Sequence, residues 1–134
     1  MKSWRRLIAN GAVWTLVYNL IWGVAWFAFM RGEWERGTAA IHHEMPFTAE
    51  VWFLMVVLSV PMGIAIMAYT RDRPEAARRA AVSAALVLWL VFTVPMFIHA
   101  MQQSLPMRVI VLDSGVNLIA VIAASLAAAW SQMG

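Results

Sequence analysis

Residues 7–30 have the sequence LIANGAVWTLVYNLIWGVAWFAFM, which contains no Lys, Arg, Asp or Glu. Residues 51–70, 80–107 and 109–134 form three more apolar stretches, and Asp113 is the only charged residue in any of the four. About 20 consecutive apolar residues match the ~30 Å hydrocarbon core of a bilayer. A chain of 134 residues cannot hide four such stretches in a soluble core. The sequence therefore predicts an integral membrane protein of the all-α class.

The predicted architecture is a single transmembrane domain over residues 1–134, a four-helix bundle with short loops. We expect its helices at approximately residues 7–30, 50–70, 78–103 and 107–131. The first loop, residues 31–50, is longer than the others and has room for a short interfacial helix around Trp34 or Ile41. Pro61 and Pro95 lie mid-span, where a proline removes a backbone hydrogen bond and favours a kink.

The composition supports this class and excludes others. Hydrophobic residues make up 63% of the chain and charged residues 13%, against about 45–50% and about 25% in soluble domains. The chain has no cysteine, which excludes disulfides and thiolate metal sites. Its formal net charge of +3 comes from basic residues at the ends of the apolar stretches. That placement is typical of membrane flanks, so we expect the lipid bilayer, and no nucleic acid, as a partner.

The basic residues also predict an orientation. Seven flank the N-terminus and the second loop, namely Lys2, Arg5, Arg6, Arg71, Arg73, Arg78 and Arg79. Three flank the first and third loops, namely Arg31, Arg36 and Arg108. Because cytoplasmic flanks carry an excess of Lys and Arg, the bias predicts a multi-pass protein with both termini in the cytoplasm (N-in/C-in).

The first apolar stretch carries two stripes with a spacing of four residues. One is aromatic and consists of Trp14, Tyr18, Trp22 and Trp26. The other is small and polar and consists of Gly11, Thr15, Asn19 and Gly23. Small residues let helix backbones approach closely, so we expect the second stripe to pack against the bundle, and the aromatic stripe to meet lipid or a neighbouring protein. The alternative is an aromatic wall for a flat cofactor such as a haem, a quinone or a pigment.

Asp113 is the strongest candidate for a functional residue. A carboxylate within a span costs about 2.5–3.5 kcal/mol on insertion scales, so it should face the bundle or water and have a partner. Asn117 lies one turn further along the same face, and His99, across a short link, is the expected partner, with Arg108 and Arg31 as alternatives. Two roles stay open, a structural clamp between helices and a functional proton or ligand site.

The three histidines, His42, His43 and His99, all fall on the outer side under this topology. Imidazole nitrogens are possible ligands for Zn or Cu. Their spacing matches no recognised metal motif, so a metal site is a hypothesis without a defined ligand set.

The second half of the chain resembles small uncharacterised bacterial four-helix membrane families of unknown function. The features that carry the resemblance are Trp89, Phe92 and Pro95, then a short link, then Asp113 and Asn117 ahead of an Ala-rich end. The resemblance implies the same architecture and a location in the bacterial inner (plasma) membrane. It supplies no activity.

Two functions remain after these exclusions. The first is a non-enzymatic accessory, assembly or stabilising subunit of a larger membrane complex, because the chain is small and has minimal loops. The second is an oligomeric protein that binds or transports a small molecule or ion at an outer-side polar site containing Asp113, Asn117, His99 and Asn19. An enzyme is the least favoured, since no nucleophile–base pair is visible. Other membrane subunits or further copies of the chain are the expected protein partners.

Overall fold

The computed structural model describes residues 2–43, 46–73 and 76–133, and these residues are almost entirely helical. Helix α1 (Lys2–Ala25) continues through a π-helical segment (Trp26–Met30) into α2 (Arg31–Ala40) without a break. Helix α3 (Ala49–Arg71), helix α4 (Ala77–Gln102) and helix α5 (Met107–Met133) follow. Four helices, the first of them running from Trp4 to Ala40, are long and apolar enough to cross a membrane. The predicted all-α architecture with four long apolar helices is confirmed.

The first loop differs from the prediction. No separate interfacial helix forms around Trp34 or Ile41, because the first helix runs on to Ala40 as α2. Ion pairs form between residues one turn apart in this extension, with Arg31 Nε 3.1 Å from Glu35 Oε1. The ten residues of α2 extend the helix by about 15 Å at 1.5 Å per residue. The sequence prediction ended the helix where the apolar residues ended, but charged residues are good helix formers.

Helix α1 lies at the centre of the bundle, with α3 on one side and α5 on the other, and α4 packs mainly on α5. Most of the small, polar stripe of α1 packs against the bundle, as predicted. Its neighbour there is α3. A Cβ built on Gly63 would lie 2.9 Å from the carbonyl oxygen of Gly11, so the two backbones are in direct contact. Two turns further along α1, Asn19 Nδ2 donates to Ser59 Oγ at 2.9 Å and to the Thr15 carbonyl oxygen at 2.7 Å.

Gly23 does not belong to this contact. A Cβ at this position would meet no atom within 4 Å. The expectation that Gly23 allows close helix approach is therefore wrong, although it continues the sequence spacing of Gly11. The backbone contact between α1 and α3 at Gly11 lies in the N-terminal half of α1, where Gly11 meets a second glycine.

The aromatic stripe of α1 faces the bundle, and the expectation that it meets lipid or a neighbouring protein is wrong. Trp14 is 0% exposed, and Trp22 and Trp26 are each 7% exposed. The Ala-rich face of α5, including Ala124 and Ala128, is itself fully buried and belongs to the same core cluster as Trp14. Small side chains on α5 leave room for large rings on α1, which explains how these rings pack inside the bundle.

Candidate outer-side polar site

Asp113 lies in the second turn of α5, about 9 Å from the start of the helix at 1.5 Å per residue. It is half-buried and lines a cavity of about 140 Å³. His99 of α4 and Trp34 of α2 line the same cavity. Apart from these groups and Gln103, aliphatic and aromatic side chains form the wall. The structure therefore brings two of the predicted site residues, Asp113 and His99, to one small and largely apolar cavity.

The predicted pairing of Asp113 with His99 does not form. Within the described residues, the Asp113 carboxylate makes no hydrogen bond or ion pair. His99 Nε2 lies 3.4 Å from Gln103 Nε2, one turn along α4. The two alternative partners, Arg31 and Arg108, pair with glutamates of α2. Among the residues that the structure describes, Asp113 thus has no clamp partner, although it lies within an apolar helix.

Asn117 is hydrogen-bonded to α1 and does not line the Asp113 cavity. Its Oδ1 accepts hydrogen bonds from Tyr18 Oη at 2.8 Å and from Trp22 Nε1 at 3.4 Å. Asn19 lies on the α3 side of α1, where it binds Ser59. The four polar residues expected at one site are therefore split, and the two asparagines hold α1 to its neighbours.

Two buried hydroxyls near this region lack partners, a feature that the sequence analysis did not identify. Ser114 Oγ and Thr93 Oγ1 are buried without a hydrogen-bond partner. Ser114 adjoins Asp113, and its carbonyl oxygen accepts a hydrogen bond from Trp89 Nε1 at 3.0 Å. Thr93 follows Trp89 by one turn of α4. An unpartnered buried hydroxyl costs about 1–3 kcal/mol, so these two groups are unsatisfied polar atoms within the described part of the bundle.

Helix α2 covers the outer end of the α4–α5 link. Glu33 accepts from Arg108 at 3.1 Å and pairs with Arg36 at 3.0 Å. A Cβ built on Gly37 would lie 2.6 Å from Val109 Cγ2, so α2 is in close contact with the start of α5 at this point. These contacts hold Trp34 over the cavity that contains Asp113. The extension that the sequence prediction missed thus contributes Trp34 to the wall of the site.

Among its described residues, the structure brings together no set of ligands for the hypothesised metal site. His42, with a φ of 54°, and His43 are exposed in the loop after α2, and neither lines the cavity that His99 lines. Across residues 2–43, 46–73 and 76–133, no three His, Asp or Glu side chains come together in a way that could hold a metal ion.

The inner half of the aromatic stripe is closed to a flat cofactor. The rings of Trp14 and Tyr18 stack on each other with centroids 5.0 Å apart and an interplanar angle of 11°. Trp14 Nε1 also donates to Ser125 Oγ at 2.9 Å. Packing therefore fills this part of the stripe, whereas Trp26, at its other end, lines a cavity of about 630 Å³.

Comparison with protein-family models, curated proteins and solved structures found no match to the chain. The resemblance to small bacterial four-helix membrane families therefore stays a prediction, and the function has to be argued from the geometry.

Proposed function

We propose that the chain is a multi-pass integral membrane protein with both termini in the cytoplasm, and, on the resemblance given above, that its location is the bacterial inner membrane. Four helices of sufficient length and apolarity support the insertion. The excess of Lys and Arg at the N-terminus and in the loop between α3 and α4 supports the orientation. Reporter fusions at the C-terminus and at Gly37 should indicate cytoplasm and periplasm respectively. A periplasmic C-terminus would contradict the topology.

Within that membrane protein, we propose a non-enzymatic binding function at the Asp113 cavity, with a small cation as the ligand. The observation that carries it is that the Asp113 carboxylate lines a cavity without a hydrogen bond or ion pair among the described residues. An ionisable residue within an apolar span is costly, and it usually marks an ion or substrate site. A carboxylate that accepts no bond from the protein is free to accept one from a ligand.

The cavity sets the size of that ligand. At about 140 Å³, it holds a few water molecules, each of which occupies about 30 Å³ in the liquid, or one small organic cation. His99 is exposed on the same cavity and is positioned to contact a ligand that enters from the outer side. The apolar wall favours a weakly hydrated cation such as an alkylammonium over a strongly hydrated one, because the wall offers few groups that replace lost water.

Titration of the purified protein with methylammonium, ammonium, K⁺ and Na⁺ tests this function. A ligand that binds only the folded state raises the unfolding midpoint in a concentration-dependent way. We expect methylammonium to raise it, and Asp113→Asn to weaken the apparent affinity at least about tenfold. Asp72→Asn is the matched control, because Asp72 is an exposed carboxylate outside the cavity. Absence of a shift with every cation, or equal binding by Asp113→Asn, would contradict the function.

A second candidate is the accessory-subunit function that the sequence analysis ranked first. The observation in its favour is an apolar groove of about 420 Å³ between α3 and α4. Small residues of α4, Ser83 and Ala84, line it together with Ala65 of α3, and small residues are what a closely packed partner helix requires. Mild-detergent purification should then recover a stoichiometric membrane partner. Ala84→Trp should release this partner, whereas Val91→Trp, on an exposed position of α4 outside the groove, should retain it.

A further inference from the structure

A second and larger cavity lies at the outer end of the first helix, and the functions proposed above do not use it. Its volume is about 630 Å³, and its wall combines residues of the π-helical segment, of α2 and of the chain leading into α3. π-Helical turns inside α-helices are rare and are frequent at functional sites. Here the π-helical segment contributes Trp26 and Phe27 to the cavity wall.

Aromatic rings form one side of this cavity. Trp26 contacts Phe47 with ring centroids 4.4 Å apart and Trp52 with centroids 5.8 Å apart. Phe47 and Trp52 lie 5.9 Å from each other, so the three rings form one continuous cluster. The faces of such rings attract cations, and clusters of them recognise substituted ammonium groups.

Among the described residues, one positive and one negative side chain line the same cavity. Arg31 and Glu35 both line it, with Nε 3.1 Å from Oε1, and the side chains are each 63% exposed. An exposed pair of this kind contributes little to stability, so a ligand can exchange with it at low cost. A guanidinium binds phosphate well, while a carboxylate beside aromatic rings suits an ammonium group.

The location of the cavity indicates where such a ligand comes from. It lies at the boundary where residues 7–30 end and the charged residues of α2 begin. Phe27, which lines the cavity, is 78% exposed on the surface of the bundle that would face lipid. In the proposed membrane placement, the cavity is therefore at headgroup level and is open on its lipid-facing side.

We propose that this cavity binds the headgroup of a zwitterionic phospholipid from the outer leaflet. Arg31 binds the phosphate, Glu35 and the ring cluster of Trp26, Phe47 and Trp52 bind the ammonium group, and the acyl chains run down the surface past Phe27. Arg31 and Glu35 are each opposite in charge to one of the two charged groups of the lipid. Phosphatidylglycerol, an anionic phospholipid, offers no ammonium group for Glu35, and a soluble headgroup lacks the acyl chains.

Lipid retention by the purified full chain tests the proposal. The protein is reconstituted in equimolar phosphatidylethanolamine, phosphatidylcholine and phosphatidylglycerol, extracted in mild detergent and analysed by native mass spectrometry. We expect one retained zwitterionic lipid, with phosphatidylglycerol retained about tenfold less. Arg31→Gln and Glu35→Gln should each reduce retention about tenfold, the size expected for loss of one good charge contact. Both positions are exposed, so the fold should survive these changes.

Arg36→Gln is the matched control, since Arg36 lies on the same helix, is 71% exposed and does not line this cavity. Retention should not change in this variant, nor in Asp113→Asn, which separates this proposal from the cation site. Equal retention of phosphatidylglycerol would overturn the proposal. Equal loss in Arg31→Gln and Arg36→Gln, or competition by soluble glycerophosphocholine as effective as by whole lipid, would overturn it too.

Discussion

Gly11 of α1 and Gly63 of α3 face each other at a point where the two helix backbones are in direct contact. A Cβ on Gly63 would lie 2.9 Å from the Gly11 carbonyl oxygen and 3.0 Å from Cε3 of the buried Trp14. Neither neighbour can move easily, because one is backbone and the other is a fully buried ring. Small residues at such a crossing allow the van der Waals contact that holds membrane helices together.

The first prediction concerns this crossing. Gly63→Ala should lower the free energy of unfolding by about 1–3 kcal/mol, as overpacking does in a filled core. Gly23→Ala is the control and should leave stability unchanged or raise it by up to about 1 kcal/mol, because alanine is a better helix residue than glycine and space is open there. Thermal unfolding in detergent measures both. A loss in Gly23→Ala as large as in Gly63→Ala would contradict the assignment.

The second prediction concerns two residues one turn apart on α5. Asn117→Leu should destabilise the bundle by about 1–3 kcal/mol, because it leaves the Tyr18 hydroxyl and the Trp22 indole N–H without their shared acceptor. Asp113→Leu should not destabilise the bundle, since the Asp113 carboxylate makes no hydrogen bond among the described residues and is costly within a span. Chemical unfolding of the two variants in detergent checks the contrast. A clear loss of stability in Asp113→Leu would restore the clamp role.

The third prediction concerns the buried indole of Trp14. Trp14→Phe keeps a ring in the core but removes the hydrogen bond to Ser125, and it should cost about 1–3 kcal/mol because Ser125 is fully buried and loses its donor. Trp130→Phe is the control, since Trp130 is exposed on the same bundle. If the two substitutions changed the unfolding midpoint equally, the aromatic stripe would not face the bundle.

The fourth prediction concerns the contact between α2 and α5. A Cβ on Gly37 would lie 3.5 Å from Val109 Cβ, which falls within the range of about 3.5–4.5 Å found in disulfides. The double variant Gly37→Cys/Val109→Cys should therefore cross-link on mild oxidation, and the chain has no other cysteine to interfere. Arg36→Cys/Val109→Cys is the control. Failure of the first pair to cross-link in a folded protein would show that α2 does not cover the α4–α5 link.

Much of the fold could be predicted from apolar length alone. The bounds of α3, α4 and α5 agree with the predicted helices to within about two residues, as expected where polar turns interrupt long apolar stretches. The continuation of the first helix as α2 was missed because its helicity depends on charged pairs and on contacts with Arg108 and Val109, and apolar length does not report these.

The candidate sites could be predicted less well, for the same reason. The unusual position of Asp113 is visible in the sequence, but its cavity depends on how α4, α5 and α2 meet. Arg31 and Glu35 line one cavity together with the ring cluster that includes Phe47 and Trp52. This arrangement depends on the loop that leads the chain into α3. No periodicity connects these residues.

The sequence by itself determined the helices, because the length of apolar stretches and the turns between them act locally along the chain. Only the tertiary structure decided which stripe of α1 faces α3 and which faces α5. In a soluble protein polarity separates the buried face from the exposed one, but lipid is as apolar as a protein core, so both stripes were compatible with either environment. The orientation of α1 instead follows from complementary shapes. Trp14 packs against the alanines of α5, and Gly11 packs against Gly63 of α3.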